Sequence, residues 1–195
     1  SLVKGKFAYL LEGEGRVFGV RFRPGAFYPF VKSPVSRFTD VSISLREAFG
    51  VDGEALEGAM LSRADEGQMI ELAEGFIRER LPERDENVEA INRIVDRIIA
   101  EQDITKVDDV ASRFTINKRT LQRIFSQYVG VNPKWVIKRY RLHEAVERLA
   151  DGGVVDRATM AVDLGYFDQA HFINEFRTIV GRPPAEYAKN IGWIP

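Results

Sequence analysis

Apolar positions follow two periods along this chain. Near the start they alternate, with the apolar and aromatic run Lys6–Leu11, then Gly13-Glu14-Gly15, then Arg16–Phe22. That order predicts two strands around a hairpin turn, broken by Arg23-Pro24-Gly25. Two or three strands cannot bury both faces alone. They are expected to belong to a larger β-rich sensor domain whose N-terminal part precedes this chain. From about Ile43 the period becomes helical. Leu45, Ala48 and Phe49 share one face, and Ala55, Leu56, Ala59 and Met60 share another. Asp65 followed by Gln68 reads as a capping box opening a helix with Met69, Leu72, Ala73, Phe76 and Ile77 inside. The polar stretch Pro82–Asn87 sets the expected boundary between residues 1–82 and 83–195.

Beyond that boundary the pattern predicts helices throughout. Val88, Ile91, Ile94, Val95 and Ile98 form one stripe running to about Glu101. A short helix over Val107–Phe114 and a tight turn at Thr115-Ile116 lead to a helix capped by Asn117 and closed by Gly130. Asn132-Pro133 opens a long helix ending at Gly152-Gly153. A short helix, Asp156–Leu164, then meets Gly165, and Asp168 caps the next helix, which ends at Gly181. A last short helix, Ala185–Lys189, follows Pro183-Pro184. The predicted fold class is mainly α: a tandem helix-turn-helix domain of about seven helices, preceded by a short β-rich fragment and a helical hairpin.

Short helix, tight turn, longer helix therefore occurs twice, at about 107–129 and 156–180. In a helix-turn-helix the second helix enters the major groove. One such pattern is weak, because any helical bundle has short connections. Two joined by a single helix are specific. The connector, Pro133–Ala150, would span about 27 Å at 1.5 Å per residue. That is close to the ~34 Å repeat of B-DNA, so it could set two helices in successive major grooves.

Charge sharpens this picture. The 195 residues carry a formal net charge of −1, which by itself argues against a polyanion partner. Residues 1–103 hold 14 Lys and Arg against 19 Asp and Glu, and residues 104–195 hold 14 against 10. The halves are thus −5 and +4. No acid lies between Val110 and His143, a stretch carrying Arg113, Lys118, Arg119, Arg123, Lys134, Lys138, Arg139 and Arg141. A basic stripe of this kind is an expected footprint for nucleic acid.

The residues Val110-Ala111, Arg119-Thr120-Leu121-Gln122-Arg123-Ile124-Phe125, Gly130 and Pro133 resemble the first motif of the AraC/XylS family of bacterial transcription regulators. The run Ala161–Phe172 with Phe176, Arg177, Gly181, Pro183, Pro184 and Tyr187 resembles its second motif. The likeness spans roughly Glu86–Lys189. Gly19–Gly25 is similar to the sensor domain that precedes this unit in some members. The resemblance implies that Arg119, Gln122 and Arg123 face base edges in the first motif. Gln169, His171 and Asn174 would do so in the second, with Arg177 nearer the backbone. It also implies phosphate contacts for Asn117, Lys118, Lys134 and Lys138. The chemistry suits these roles, since Arg pairs with guanine and Gln with adenine, while helix N-termini favour phosphate. Leu121, Phe125, Leu164, Phe172 and Phe176 are expected in the core.

Two departures stand out. Thr115 occupies the turn position that is glycine in the family and in the second motif here (Gly165). A β-branched residue resists positive φ, so the first turn is expected to bend differently. Residues 150–195 carry four bases against six acids. The first motif is therefore expected to supply most of the affinity, and the second to read weakly or by shape.

Other chemistries find little support. The chain lacks cysteine, which excludes disulfides and thiol catalysis. His143, placed among core positions of the long helix, reads as structural. No spacing suits a metal, and no catalytic residue or cofactor is expected. There is no apolar run of membrane-spanning length. The expected protein is a cytoplasmic, nucleoid-associated bacterial regulator, of a family that usually activates. Its expected partners are double-stranded DNA, RNA polymerase, an unknown small-molecule effector, and a second copy through residues 43–81. The alternative is a DNA-repair or other enzyme whose catalytic domain precedes this chain, fused to the same DNA-binding module. A helical scaffold without nucleic acid is a third option.

Overall fold

Caps and glycine stops, more than helix propensity, decide where the helices of this chain begin and end. The computed structural model describes residues 2–5, 12–13, 17–63, 65–150 and 157–189. Their helices are α1 (Tyr28–Val31), α2 (Leu45–Phe49), α3 (Val51–Leu61), α4 (Glu66–Glu79), α5 (Glu86–Ala100), α6 (Val107–Arg113), α7 (Lys118–Ile124), α8 (Pro133–Ala150), α9 (Arg157–Asp163), α10 (Gln169–Val180) and α11 (Pro184–Lys189). A 3₁₀ turn covers Val35–Phe38, and α7 runs on without a break into a π-helical turn, Phe125–Val129. Among the described residues no helix is long and apolar enough to cross a membrane.

The β-rich fragment is not seen among these residues. The expected strand Lys6–Leu11, the turn residues Glu14 and Gly15, and Arg16 lie outside them, as do Gly152-Gly153 and Asp156. Residues 17–22 are described and form no ladder. The alternation there is genuine, but a strand exists only through a hydrogen-bonded neighbour. Val17 remains 77% exposed, and Phe22 turns into a ring cluster instead.

Contacts divide the chain into two compact units. Of the described residues, the first holds 2, 12–13, 17–63, 65–92 and 124–130, and the second holds 3–5, 93–123, 131–150 and 157–189. Aromatic edges organise the first. Phe22 meets Phe27 and Phe30 at centroid distances of 5.2 and 5.3 Å, Phe27 meets Phe38 and Phe49, and Phe49 meets Phe76. Such tilted and edge-on pairs add about 1 kcal/mol each to the burial of the rings. They gather α1, the 3₁₀ turn, α2 and α4 around one centre, with α3 packed between α2 and α4. Ser44 and Glu47 form a reciprocal capping box at α2. At α4 only half of the expected box is made: Asp65 Oδ1 accepts from the Gln68 amide at 2.9 Å.

In the second unit α6 and α11 pack on α8, and α9 and α11 on α10. Leu142, Ala145, Met160, Leu164, Phe172 and Phe176 are buried together, closed by Tyr187. The expected core residue Leu121 is fully buried in this unit, and Phe125 is fully buried in the first. Arg141, read as part of the basic stripe, is 2% exposed. Its guanidinium donates to the Ile98 carbonyl and pairs with Glu144 at 2.7 Å. It therefore ties α8 to the end of α5 and adds no surface charge. His143, read as a core position, is exposed.

The two turns are the same object. After α6, the amides of Phe114, Thr115 and Ile116 bond to the carbonyls of Val110, Ser112 and Ala111. After α9, the amides of Leu164, Gly165 and Tyr166 bond to Met160, Val162 and Ala161 at matching offsets. This is the Schellman pattern, and it needs a left-handed residue at its centre. Gly165 takes it at φ 78°, and Thr115 takes it at φ 49°. The expected difference does not appear in the hydrogen-bond pattern: threonine accepts the strain, because three hydrogen bonds and the burial of both flanking helices hold the backbone there. Left-handed backbone costs a non-glycine residue about 1–3 kcal/mol, partly offset by the chain entropy that a glycine would lose. Thr115→Gly is expected to raise stability by about 1 kcal/mol in urea unfolding; a loss of stability would show that Thr115 is not strained.

Candidate nucleic-acid interface

The second helix of each motif, α7 and α10, begins with a side-chain cap. Asn117 Oδ1 accepts from the Arg119 amide at 2.8 Å, and Asp168 Oδ1 accepts from the His171 amide at 2.7 Å. Capping fixes the first turn, the part of a recognition helix that would approach base edges. Behind α7 lies buried Leu121; behind α10 lie Phe172 and Phe176. The opposite faces are polar. Arg119, Gln122 and Arg123 are exposed on α7, and Gln169, His171, Asn174 and Arg177 are exposed on α10. The amphipathic period thus separates packing from presentation in both motifs.

The basic stripe is smaller in space than in sequence. Arg113 pairs with Glu101 at 3.0 Å and Asp103 at 2.5 Å, and Lys118 pairs with Asp108. Lys138 pairs with Glu175 at 2.5 Å, half-buried on both sides. With Arg141 internal, Arg119, Arg123, Lys134 and Arg139 are the stripe cations without an ion pair among the described residues. Two of these, Arg119 and Arg123, share the exposed face of α7. Lys134 is exposed in the first turn of α8, which Asn132 caps through the Trp135 amide.

Glu175 is the residue that sequence reasoning passed over. It sits one helical turn after His171, whose Nε2 lies 3.6 Å from its carboxylate. Lys138 reaches it from α8 across 37 positions of sequence. Tyr166 backs this group: the Lys138 Nζ stands 5.6 Å from its ring centroid, and the His171 ring meets it edge-on. The Tyr166 hydroxyl is buried without a hydrogen-bond partner among the described residues, and burial pushes its pKa upward. The spacing His171 to Glu175 could have flagged the helical neighbours, but nothing in the sequence joins Lys138 to them. Among the described residues no cluster of three acids or histidines could hold a metal.

Residues 110–190 match a family model described as "Helix-turn-helix domain", and residues 2–44 match one described as "Domain of unknown function (DUF6597)". The chain is similar to "HTH-type transcriptional activator RhaS" of Pectobacterium carotovorum, 35% identical over 77 residues, which are 38% of this chain and 26% of that protein. It is also similar to "Putative AraC-like transcription regulator" of Streptomyces lividans, 29% identical over 84 residues, covering 43% and 27%. Residues 110–190 are an AraC-type helix-turn-helix DNA-binding domain. The chain spans about a quarter of the length of the curated relatives it matches. Among solved structures, apo ToxT from Vibrio cholerae overlaps with a TM-score of 0.42 at 17% identity, over 73% of this chain and 56% of that one. The AraC-type motif explains why two capped helices follow two identical turns: each turn delivers one polar helix face, and α8 joins them.

Proposed function

We propose that this protein is a sequence-specific transcription regulator that sets α7 and α10 into successive major grooves of double-stranded DNA. The observation that carries the reading is the repeated Schellman turn, followed each time by a capped helix that is apolar behind and polar in front. In this reading residues 83–195 form the DNA-binding domain, and residues 1–82 form the sensor and dimerisation region. The protein works by occupancy and not by chemistry. An effector that favours one state of the N-terminal region shifts the bound fraction by its differential affinity. RNA polymerase and a second copy of the chain are the expected macromolecular partners.

The base-reading set is Arg119, Gln122 and Arg123 with Gln169, His171 and Asn174. Asn117, Lys118, Lys134, Lys138 and Arg177 serve the phosphates. Lys118 and Lys138 must first leave Asp108 and Glu175. Because its partner acid sits on the reading helix itself, Lys138 is partly neutralised in the unbound protein. The unpaired arginines of α7 then carry the larger share of the attraction. This agrees with a dominant first motif and a weakly reading second one.

Selection of duplexes from a random-sequence pool, followed by protection mapping, tests the whole reading. Two protected stretches about one helical turn apart are expected, and no enrichment would sink it. Arg123→Ala is expected to cost about 1–3 kcal/mol on the selected duplex and to relax one base position. An equal loss on every sequence would make Arg123 a phosphate contact. Lys138→Ala is expected to weaken binding to any duplex and to lower its salt slope by about one unit. An unchanged slope would remove Lys138 from the interface.

A further inference from the structure

The turn that ends the first reading helix is held by a segment more than eighty residues upstream. Helix α1 and the 3₁₀ turn Val35–Phe38 pack on the π-helical turn Phe125–Val129. The Gln127 side-chain Nε2 donates to the Tyr28 hydroxyl at 2.7 Å, and the Tyr28 and Tyr128 ring centroids stand 4.1 Å apart. Thr39 Oγ1 donates to the Gly130 carbonyl at 2.8 Å. Gly130 closes the turn at φ 92°, its amide bonded back to Phe125, and a Cβ there would lie 2.7 Å from Thr39 Oγ1. Val35, which forms the rest of that wall, is buried.

A second arm reaches the same turn from α5. Asp85 divides its carboxylate: Oδ1 accepts from the Asn87 amide and caps α5, while Oδ2 accepts from the Tyr128 hydroxyl at 3.0 Å. Asn87 Nδ2 donates to that hydroxyl at 3.0 Å. The Tyr128 hydroxyl thus both donates and accepts, and burial pushes its pKa upward. π-Turns are rare inside α-helices and collect at functional positions. This one occupies the last turn of the rod that carries Arg119, Gln122 and Arg123.

We propose that Tyr28, Thr39 and Asp85 are positioning residues for the first reading helix, clamping its π-turn so that the segment Phe27–Thr39 sets how α7 is presented to DNA. The proposal deepens, and rests on, the DNA-reading function above. It gives a task to part of the region that matches the domain of unknown function. A continuous helix transmits a constraint at one end to the other, because its hydrogen-bond ladder resists bending and fraying. Loosening the clamp frees the last turn to relax toward ordinary α geometry, and α7 then loses its fixed end.

The test uses the full chain with Tyr28→Phe and Thr39→Val, each of which keeps side-chain shape and deletes one hydrogen bond. One readout is amide hydrogen exchange, and the other is binding to the selected duplex and to two derivatives. In one derivative the half relaxed by Arg123→Ala is scrambled; in the second, the other half is. Each deleted bond is expected to speed exchange of residues 125–130 about fivefold, with α10 unchanged. Binding to the selected duplex should weaken by a similar factor. Discrimination against the scrambled α7 half should fall while discrimination at the α10 half stays as in wild type. Wild-type exchange across residues 118–130 would overturn the proposal, as would equal losses at both halves, which a merely structural role would produce. Should the wild-type chain select no duplex, the DNA reading fails and the exchange result alone decides the clamp.

Discussion

In this protein the hydrogen bond from the Ile116 amide to the Ala111 carbonyl, with its copy from Tyr166 to Ala161, governs everything downstream. A six-to-one bond of this kind forces the residue before it into left-handed backbone and turns the chain sharply. The next helix then starts at a fixed angle, with its cap already in place. Asn117 and Asp168 close that start, and the burial of Leu121, Phe172 and Phe176 fixes which face turns outward. Thr115 shows the strength of the constraint. A residue poorly suited to φ 49° is held there by the bonds on either side.

Electrostatics is organised more finely than net charge implies. Of the basic stripe, Arg141 is an internal strut to the Ile98 carbonyl, Arg113 serves Glu101 and Asp103, and Lys118 and Lys138 each face an acid. Half-buried pairs such as Lys138 with Glu175 lose little energy to screening compared with exposed ones, so they restrain their cations. The arginines of α7, without an ion pair among the described residues, hold the same face as Gln122, so charge and hydrogen-bonding capacity coincide on one helix.

The first unit is built on rings instead. Its phenylalanines meet edge to face and draw in a segment that alternates like a strand but has no strand beside it among the described residues. The same segment supplies Tyr28 and Thr39 to the end of the first reading helix. A helix whose sequence belongs to the C-terminal half thus finishes among side chains of the N-terminal half. A boundary read from composition alone does not describe that interleaving.

Helix starts, helix stops and the two motifs were legible in sequence because they are local: a cap, a glycine and a 3.6-residue period lie within a few positions of one another. Pro133–Ala150 was read with both ends in place, and Asp168 as the cap of α10. Burial of Phe172 and Phe176 followed from the same period. The strand reading of residues 17–22 failed because alternation states only which side chains could share a face, while a ladder needs a partner elsewhere. Arg141, Glu175 and Tyr28 were illegible for a related reason. Each acts through a group 37 to 99 positions away, at Glu175, Ile98 and Gln127 for Lys138, Arg141 and Tyr28 respectively. Short-range hydrogen bonding is written in residue order, so the sequence by itself determined the two capped helices, α7 and α10, and their turns. Which cations stay free, and what holds the end of α7, depends on distances between remote segments, and those only tertiary packing decides.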